Sequence, residues 1–144
     1  MNDKIFIDTN IWVYFWLKDE TNQVNDKNKF IVNYLDKQRE ENNQIFSSIQ
    51  IFNELSNVFL KKYKLDFEIV KYYLGFTKEL TEIISIEFED ILKAIDIKQK
   101  YNLSYFDSLM IQSALKTNCT ILYSEDLNHN QIFENKLKVV NPFK

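Results

Sequence analysis

Turn-forming residues are almost absent from this chain of 144 residues, which contains one glycine, Gly75, and one proline, Pro142. Folds built wholly from β-strands need many tight turns, and glycine most readily adopts the backbone conformations that such turns require. The sequence therefore argues against an all-β fold and favours helices joined by short connections. The same scarcity excludes the glycine-rich phosphate-binding loops, which need several glycines within a few residues.

Short apolar runs alternate with longer amphipathic segments along the chain. The runs predict β-strands at 4–7, 45–47, 81–86, 120–123 and 138–140. Apolar residues at helical spacing predict helices at 11–17, 29–40, 48–63, 66–79, 87–101 and 104–116, and a polar stretch at 19–28 favours a loop. Strands alternating with helices are typical of α/β proteins with a mainly parallel central sheet. With no linker or repeat in the sequence, we expect a single domain over 1–144.

Charge and composition limit the class of function. The formal net charge of −3 offers no general electrostatic attraction for nucleic acid, although acidic residues gathered at a metal site can mask a basic patch. Cys119 is the only cysteine, so neither an intramolecular disulfide nor a cysteine-rich zinc site is expected. His129, the only histidine, has no partner that suggests a catalytic triad. Without a signal-peptide pattern or an apolar run of membrane-spanning length, we expect a cytoplasmic protein.

Carboxylates stand where two predicted strands end. Asp8 follows the first strand directly, and Asp126 follows the strand at 120–123. Because sites in open α/β sheets lie beyond the carboxyl ends of strands, both are candidates for one site. Each also has an ordinary alternative. Asp8 and Asn10 suit a helix N-cap, expected near Thr9-Asn10, and Asp126 suits a turn or the cap of a following helix.

Two further carboxylates lie on predicted helices. Asp107 shares the apolar stripe of its helix with Met110 and Ile111. Burial of an unpaired carboxylate is costly, so Asp107 requires a cation or hydrogen bonds; a capping box with Ser104 is the alternative. Glu54 lies at the flank of the 48–63 helix, where a solvated or salt-bridged side chain is the alternative. Carboxylates gathered from all four places would repel one another unless divalent cations neutralised them, and oxygen ligands without a His or Cys cluster favour Mg²⁺ or Mn²⁺.

Several segments of the chain, in order and over essentially its whole length, carry a family resemblance. They are FIDTNIWVY, SSIQIFNELSNVF, NLSYFDSLMIQSAL, and ILYSEDLNHNQIF followed by KVVNPF. This combination resembles the PIN-domain ribonucleases, and most closely the VapC-like toxins of bacterial type II toxin–antitoxin systems. The resemblance implies a PIN fold, in which helices flank a parallel sheet, and metal-dependent cleavage of RNA.

The resemblance also assigns roles to residues. It places the catalytic metal ligands at Asp8, Glu54, Asp107 and Asp126, holding one or two Mg²⁺ or Mn²⁺ ions. A second set would orient the ligands and the attacking water: Thr9, Asn10 and Ser124. The bound metal would lower the pKa of that water, so that it attacks phosphorus near neutral pH. The resemblance further implies a homodimer and a cognate antitoxin that covers or enters the site.

Two other functions remain open from the sequence. A non-catalytic PIN-fold binding module acting through a protein partner would keep the fold without cleavage. An Asp8 phospho-acceptor domain, as in haloacid-dehalogenase-like proteins, usually carries Asp-x-Asp, whereas residue 10 is Asn. If the substrate is RNA, the candidate contacts are Lys61, Lys62 and Lys64, for which a solvated helix end is the alternative.

Overall fold

A six-stranded sheet lies at the centre of the protein, in a computed structural model that describes residues 3–17 and 26–144. The strands are β1 (Lys4–Ile7), β2 (Gln44–Ser48), β3 (Glu82–Ile84), β4 (Ile121–Tyr123), β5 (Ile132–Phe133) and β6 (Leu137–Val140). Their spatial order is β3-β2-β1-β4-β6-β5. Among the described strands, the β5–β6 pair alone is antiparallel, which confirms the predicted mainly parallel sheet. The sequence pattern did not predict the two-residue strand β5.

Six α-helices in the described part of the chain flank this sheet. They are α1 (Thr9–Trp16), α2 (Asp26–Glu40), α3 (Ile49–Asn57), α4 (Phe67–Leu80), α5 (Phe88–Tyr101) and α6 (Tyr105–Lys116). The helix predicted at 48–63 differs from expectation, because its second part, Val58–Lys62, is a π-helical turn. The loop predicted at 19–28 lies outside the described residues except for 26–28, which begin α2. None of the described helices is long and apolar enough to cross a membrane.

Strand β1 lies in the buried middle of the sheet and marks the point where the strand order changes direction. Ile5, Phe6 and Ile7 have no exposed surface, as expected for a parallel strand covered on both faces. β1 pairs with β2 on one side and with β4 on the other. A crevice forms beyond the carboxyl ends of strands at such a reversal, and it collects the residues that follow β1 and β4.

A buried carboxylate joins α5 to α6, the helix that carries Asp107. Asp90 closes a capping box at the start of α5, where its Oδ2 accepts a hydrogen bond from the Glu87 backbone at 2.8 Å. The same carboxylate accepts from Lys116 Nζ at 2.8 Å and from Gln112 Nε2 at 3.1 Å. These bonds compensate the burial of the charge and fix α6 against α5.

Candidate active site

A pocket of about 310 Å³ lies at the strand-order reversal. Its lining includes all four of the predicted acidic residues: Asp8, Glu54, Asp107 and Asp126. Thr9, Asn10 and Lys62 also line it, whereas Ser124, Lys61 and Lys64 do not. Sequence reasoning did not single out the other lining residues, which are Val13, Tyr14, Val58 and Tyr63. The fold therefore brings together carboxylates from four separate segments of the chain.

Asp8 is both the N-cap of α1 and the most buried carboxylate of the pocket. Its Oδ1 accepts a hydrogen bond from the Thr9 backbone at 2.7 Å, so the cap lies one residue before the predicted Thr9-Asn10. Its Oδ2 accepts from Ser124 Oγ at 2.8 Å. Ser124 Oγ in turn accepts from the backbone N–H groups of Asp126 and Leu127, at 3.2 and 3.4 Å. One hydroxyl thus links Asp8 to the turn that carries Asp126.

The surroundings of Asp8 disfavour its charged form. Burial raises the pKa of this carboxyl to about 7, although the hydrogen bonds from Ser124 and from the Thr9 backbone oppose the change. The charges of Asp107 and Asp126 raise the pKa further. A carboxyl with this combination of burial and like-charged neighbours is a common feature of functional sites.

Glu54 is held by two neighbours on opposite sides. Thr9 Oγ1 donates to its Oε2 at 2.8 Å, and Gln50 Nε2 donates to its Oε1 at 2.9 Å. Glu54 is half-buried and has no salt bridge among the described residues, so the structure does not support the salt-bridged alternative. Gln50, one helical turn before Glu54 on α3, was missed from the sequence. An amide four residues from a candidate carboxylate is the signal that could have identified it.

Asp107 and Asp126 also line the pocket. The Asp107 backbone N–H donates to Ser104 Oγ at 3.1 Å, which is half of the predicted capping box. No side-chain bond from Asp107 back to Ser104 occurs in the described structure, so its half-buried carboxylate stays available to the pocket. Asp126 is exposed and lies in a turn. The described residues after it form no helix, which rules out the helix-cap alternative.

Two polar groups near the pocket have contrasting surroundings. Both side-chain polar atoms of Asn10 are buried and have no hydrogen-bond partner among the described residues. Glu125, beside Asp126, instead pairs with Lys27 at 3.1 Å, and Lys27 Nζ also donates to Tyr14 OH at 3.2 Å. Glu125 is therefore engaged elsewhere, whereas the amide of Asn10 lacks the partner that a buried polar group requires.

The chemistry of the pocket fits a hard divalent cation. Its donors are carboxylate and amide oxygens, the ligands preferred by Mg²⁺ and Mn²⁺. Burial is the main cause of the raised pKa of Asp8, and a cation would offset the smaller contribution from the charges of Asp107 and Asp126. Within the described residues, no three acidic, His or Cys side chains already lie close enough to share one ion. The fit therefore concerns the chemistry of the donor set alone.

Other nucleophilic chemistry is not supported at this pocket. Cys119 is 2% exposed, and burial raises the pKa of its thiol to about 11. Such a thiol is protonated and unreactive near neutral pH. His129 Nδ1 accepts a hydrogen bond from the Asn141 backbone at 3.0 Å, and His129 does not line the pocket.

Comparison with known families matches most of the chain. The family model described as PIN domain matches residues 5–134 of the chain. This span contains all of the acidic residues that line the pocket. No curated protein matches the chain by sequence.

Solved structures of the same fold include bacterial toxins. A toxin–antitoxin complex from Klebsiella pneumoniae is 19% identical with a TM-score of 0.63, covering 96% of this chain and 97% of the other. VapBC2 from Rickettsia felis, bound to a DNA fragment from its promoter, is 21% identical with a TM-score of 0.63, covering 96% and 99%. VapC20 from Mycobacterium tuberculosis, a toxin that cleaves the sarcin–ricin loop, is 10% identical with a TM-score of 0.65, covering 85% and 91%. At these identities the likeness establishes a shared fold.

Proposed function

The chain belongs to the PIN-domain family, and on that premise we propose that it is a metal-dependent endoribonuclease and the toxin of a toxin–antitoxin pair. The observation that carries the proposal is the convergence of Asp8, Glu54, Asp107 and Asp126 on one pocket. The similarity in fold to VapC20, a toxin that cleaves an RNA loop, supports RNA as the substrate.

In this proposal the four carboxylates hold Mg²⁺ or Mn²⁺. When bound, such a cation supplies Lewis-acid chemistry, activating water for attack on phosphorus and neutralising the charge that develops on the leaving oxygen. Ser124 and Thr9 orient Asp8 and Glu54 through the hydrogen bonds described above. Asn10 offers a buried amide that can bond a ligand or a water within the pocket.

A protein partner is the second part of the proposal. One solved structure with this fold is a toxin–antitoxin complex, and another is VapBC2 bound to a fragment of promoter DNA. We propose that this chain likewise binds a cognate antitoxin that covers the pocket, and that it forms a homodimer in the cytoplasm. Binding of a partner at the pocket would block substrate entry directly.

The decisive experiment measures RNA cleavage by the purified protein. Single-stranded RNA of random sequence and total bacterial RNA are incubated with Mg²⁺, Mn²⁺ or EDTA. We expect cleavage with either metal, none in EDTA, and loss of cleavage in Asp8→Asn and Asp107→Asn. Asp96→Asn is the matched control, because Asp96 is an exposed carboxylate on α5 that does not line the pocket. Cleavage that persists in EDTA or in either pocket variant would refute the proposal.

A further inference from the structure

A second concavity, of about 710 Å³, lies beside the acidic pocket between α3 and α6. We call it the α3–α6 groove. Its walls include Ile49, Asn53 and Asn57 on α3, Ile86 before α5, and Phe106 and Leu109 on α6. The predicted metal site uses none of these six residues, so the groove requires an explanation of its own.

Two large apolar side chains of the groove are exposed. Phe106 has 62% of its surface accessible and Ile49 has 53%. An aromatic ring exposed at the rim of a groove is a platform on which a flat group can stack, and proteins bind unpaired bases of single-stranded RNA in this way. The groove is therefore suited to a planar, largely apolar ligand.

Asn53 and Asn57 add hydrogen-bonding capacity to the same wall. They lie four residues apart on α3 and therefore on one helix face. Both are exposed, and in the described structure neither side chain has a hydrogen-bond partner. Each amide carries both a donor and an acceptor, as do the edges of nucleobases. An aliphatic side chain of a protein partner would leave these amides unused.

The charge of the groove favours a neutral group. Among the described residues that line it, Glu54 is the only ionisable one. With no lysine or arginine there, the groove lacks the groups that normally bind phosphate. The acidic pocket, by contrast, has Lys62 in its lining. A nucleotide with its base in the groove would place its phosphate toward the pocket.

The groove and the pocket share one wall residue. Glu54 lines both of them. Gln50 Nε2 donates to Glu54 Oε1 at 2.9 Å and to the backbone oxygen of Phe106 at 3.0 Å. This one amide sets the position of the Phe106 backbone relative to a carboxylate of the proposed catalytic site. A base stacked on Phe106 would therefore be held at a defined place relative to the reacting phosphate.

We propose that the α3–α6 groove binds the base of a nucleotide adjacent to the scissile phosphodiester of single-stranded RNA. The base stacks on Phe106, and Asn53 and Asn57 read its hydrogen-bonding edge. These residues thereby determine which sequences are cleaved. The inference rests on the proposed ribonuclease function and adds to it a subsite for sequence selection.

The first test measures binding without cleavage. Single-stranded RNA oligonucleotides carrying 2-aminopurine at successive positions are titrated with the protein in EDTA. We expect fluorescence quenching at one position with the natural protein, and a Kd weakened about 5-fold to 100-fold in Phe106→Ala. Phe106→Trp should restore the quenching. Phe88→Ala is the matched control, because Phe88 is also 62% exposed but does not line the groove.

The second test maps base preference. The ends of products from random-sequence RNA are determined for the natural protein and for Asn53→Ala with Asn57→Ala. We expect the preference at one position next to the cut to weaken, with kcat on a preferred substrate less affected than KM. If cleavage occurs but Phe106→Ala and the asparagine variant keep the natural Kd and preference, the groove inference is wrong while the ribonuclease function stands.

The remaining outcomes are equally decisive. Absence of cleavage, together with Phe106-dependent quenching, would refute the ribonuclease function and support the groove as a base-binding site. If Phe106→Ala leaves RNA binding unchanged and weakens only the binding of a purified antitoxin, the groove is a protein-docking site and the inference is overturned.

Discussion

Ser47, near the end of β2, and Ser124, directly after β4, are both fully buried serines, yet their hydroxyls have opposite surroundings. Ser124 Oγ donates to Asp8 and accepts from two backbone N–H groups. Ser47 Oγ has no hydrogen-bond partner among the described residues. The difference allows one hydroxyl to be tested against the other in equally buried settings.

We expect Ser124→Ala to lower the free energy of unfolding by about 1–3 kcal/mol, because it leaves a buried carboxylate oxygen and two N–H groups without a partner. Ser47→Ala removes an unpaired hydroxyl and should be neutral or slightly stabilising. Urea unfolding of both variants at pH 7 measures the difference. Equal losses would show that the Ser124 hydrogen bonds contribute little.

The raised pKa of Asp8 makes the free energy of unfolding depend on pH in the absence of metal. Its pKa is about 7 in the folded protein against the ordinary value of 3.8, so between these values the folded state binds the extra proton. The free energy of unfolding therefore falls as pH rises from about 4 to about 7, by about 4 kcal/mol from this group. The stability contributed by protonated Asp8 is fully present near pH 4 and is lost as the pH rises through about 7.

Asp8→Asn removes this titration. In EDTA we expect the variant to lack the decline between pH 4 and pH 8, so that it gains stability relative to the natural protein as the pH rises. Urea unfolding at several pH values compares the two proteins directly, since other groups titrate alike in both. Parallel curves over this window would show that the Asp8 pKa is not raised.

The π-helical turn at Val58–Lys62 is the element whose conformation the sequence pattern predicted incorrectly. Continuous apolar spacing through 48–63 favoured an unbroken α-helix. In a π-helical turn each N–H bonds one residue further back than in an α-helix, which redirects the side chains that follow. Val58, Lys62 and Tyr63 line the acidic pocket, whereas Lys61 is exposed outside it.

This geometry distinguishes two neighbouring lysines. We expect Lys62→Ala to weaken RNA binding and to reduce the slope of log K against log salt by about 0.7, the loss of one phosphate contact on a single strand. Lys61→Ala should change both quantities less. Binding of a single-stranded RNA oligonucleotide at several salt concentrations measures them. A larger effect in Lys61→Ala would place the RNA path outside the pocket.

At the scale of the whole molecule, the proposed metal site at the strand-order reversal would couple ion binding to folding. The carboxylates come from after β1, from α3, from α6 and from after β4, so an ion bound by them joins segments that are far apart in the unfolded chain. A cation that binds only the folded state stabilises it by about 2.7 kcal/mol at 100 times its Kd.

We therefore expect Mg²⁺ or Mn²⁺ at this concentration to raise the Tm of the natural protein by roughly 5–10 °C relative to EDTA. Asp107→Asn should reduce the increase, and Asp96→Asn, altered on the exposed face of α5, should retain it. Differential scanning calorimetry with and without metal provides the measurement. An equal increase in all three proteins would indicate binding elsewhere on the surface.

Much of the architecture is encoded locally and could be predicted. The apolar runs and the helical spacing are properties of a few consecutive residues, so they predicted the alternation of strands and helices and the parallel sheet. The sequence also showed that Asp8 and Asp126 follow strands, and this predicted a shared site because the carboxyl ends of parallel strands share one edge.

The structure corrected expectations that depended on partners distant in sequence. A capping box forms between Glu87 and Asp90. At Ser104 and Asp107, where a box was expected, only the hydrogen bond from the Asp107 backbone N–H to Ser104 Oγ forms. By local preference the Ser104 segment is the better candidate, since serine is a favoured N-cap residue and glutamate is not. Asp90 is additionally engaged by Gln112 and Lys116 from α6, which no local pattern reveals.

The sequence by itself determined which residue types stand at strand ends and helix starts, and hence that a carboxylate site was available. Only the tertiary structure decided their partners: Ser124 reaches Asp8 across 116 positions, Thr9 reaches Glu54 across 45, and Gln50 reaches Phe106 across 56. Strand and helix preferences arise from interactions within a few residues. The identity of a partner depends on strand order, register and helix packing, which are set by the burial of the whole core.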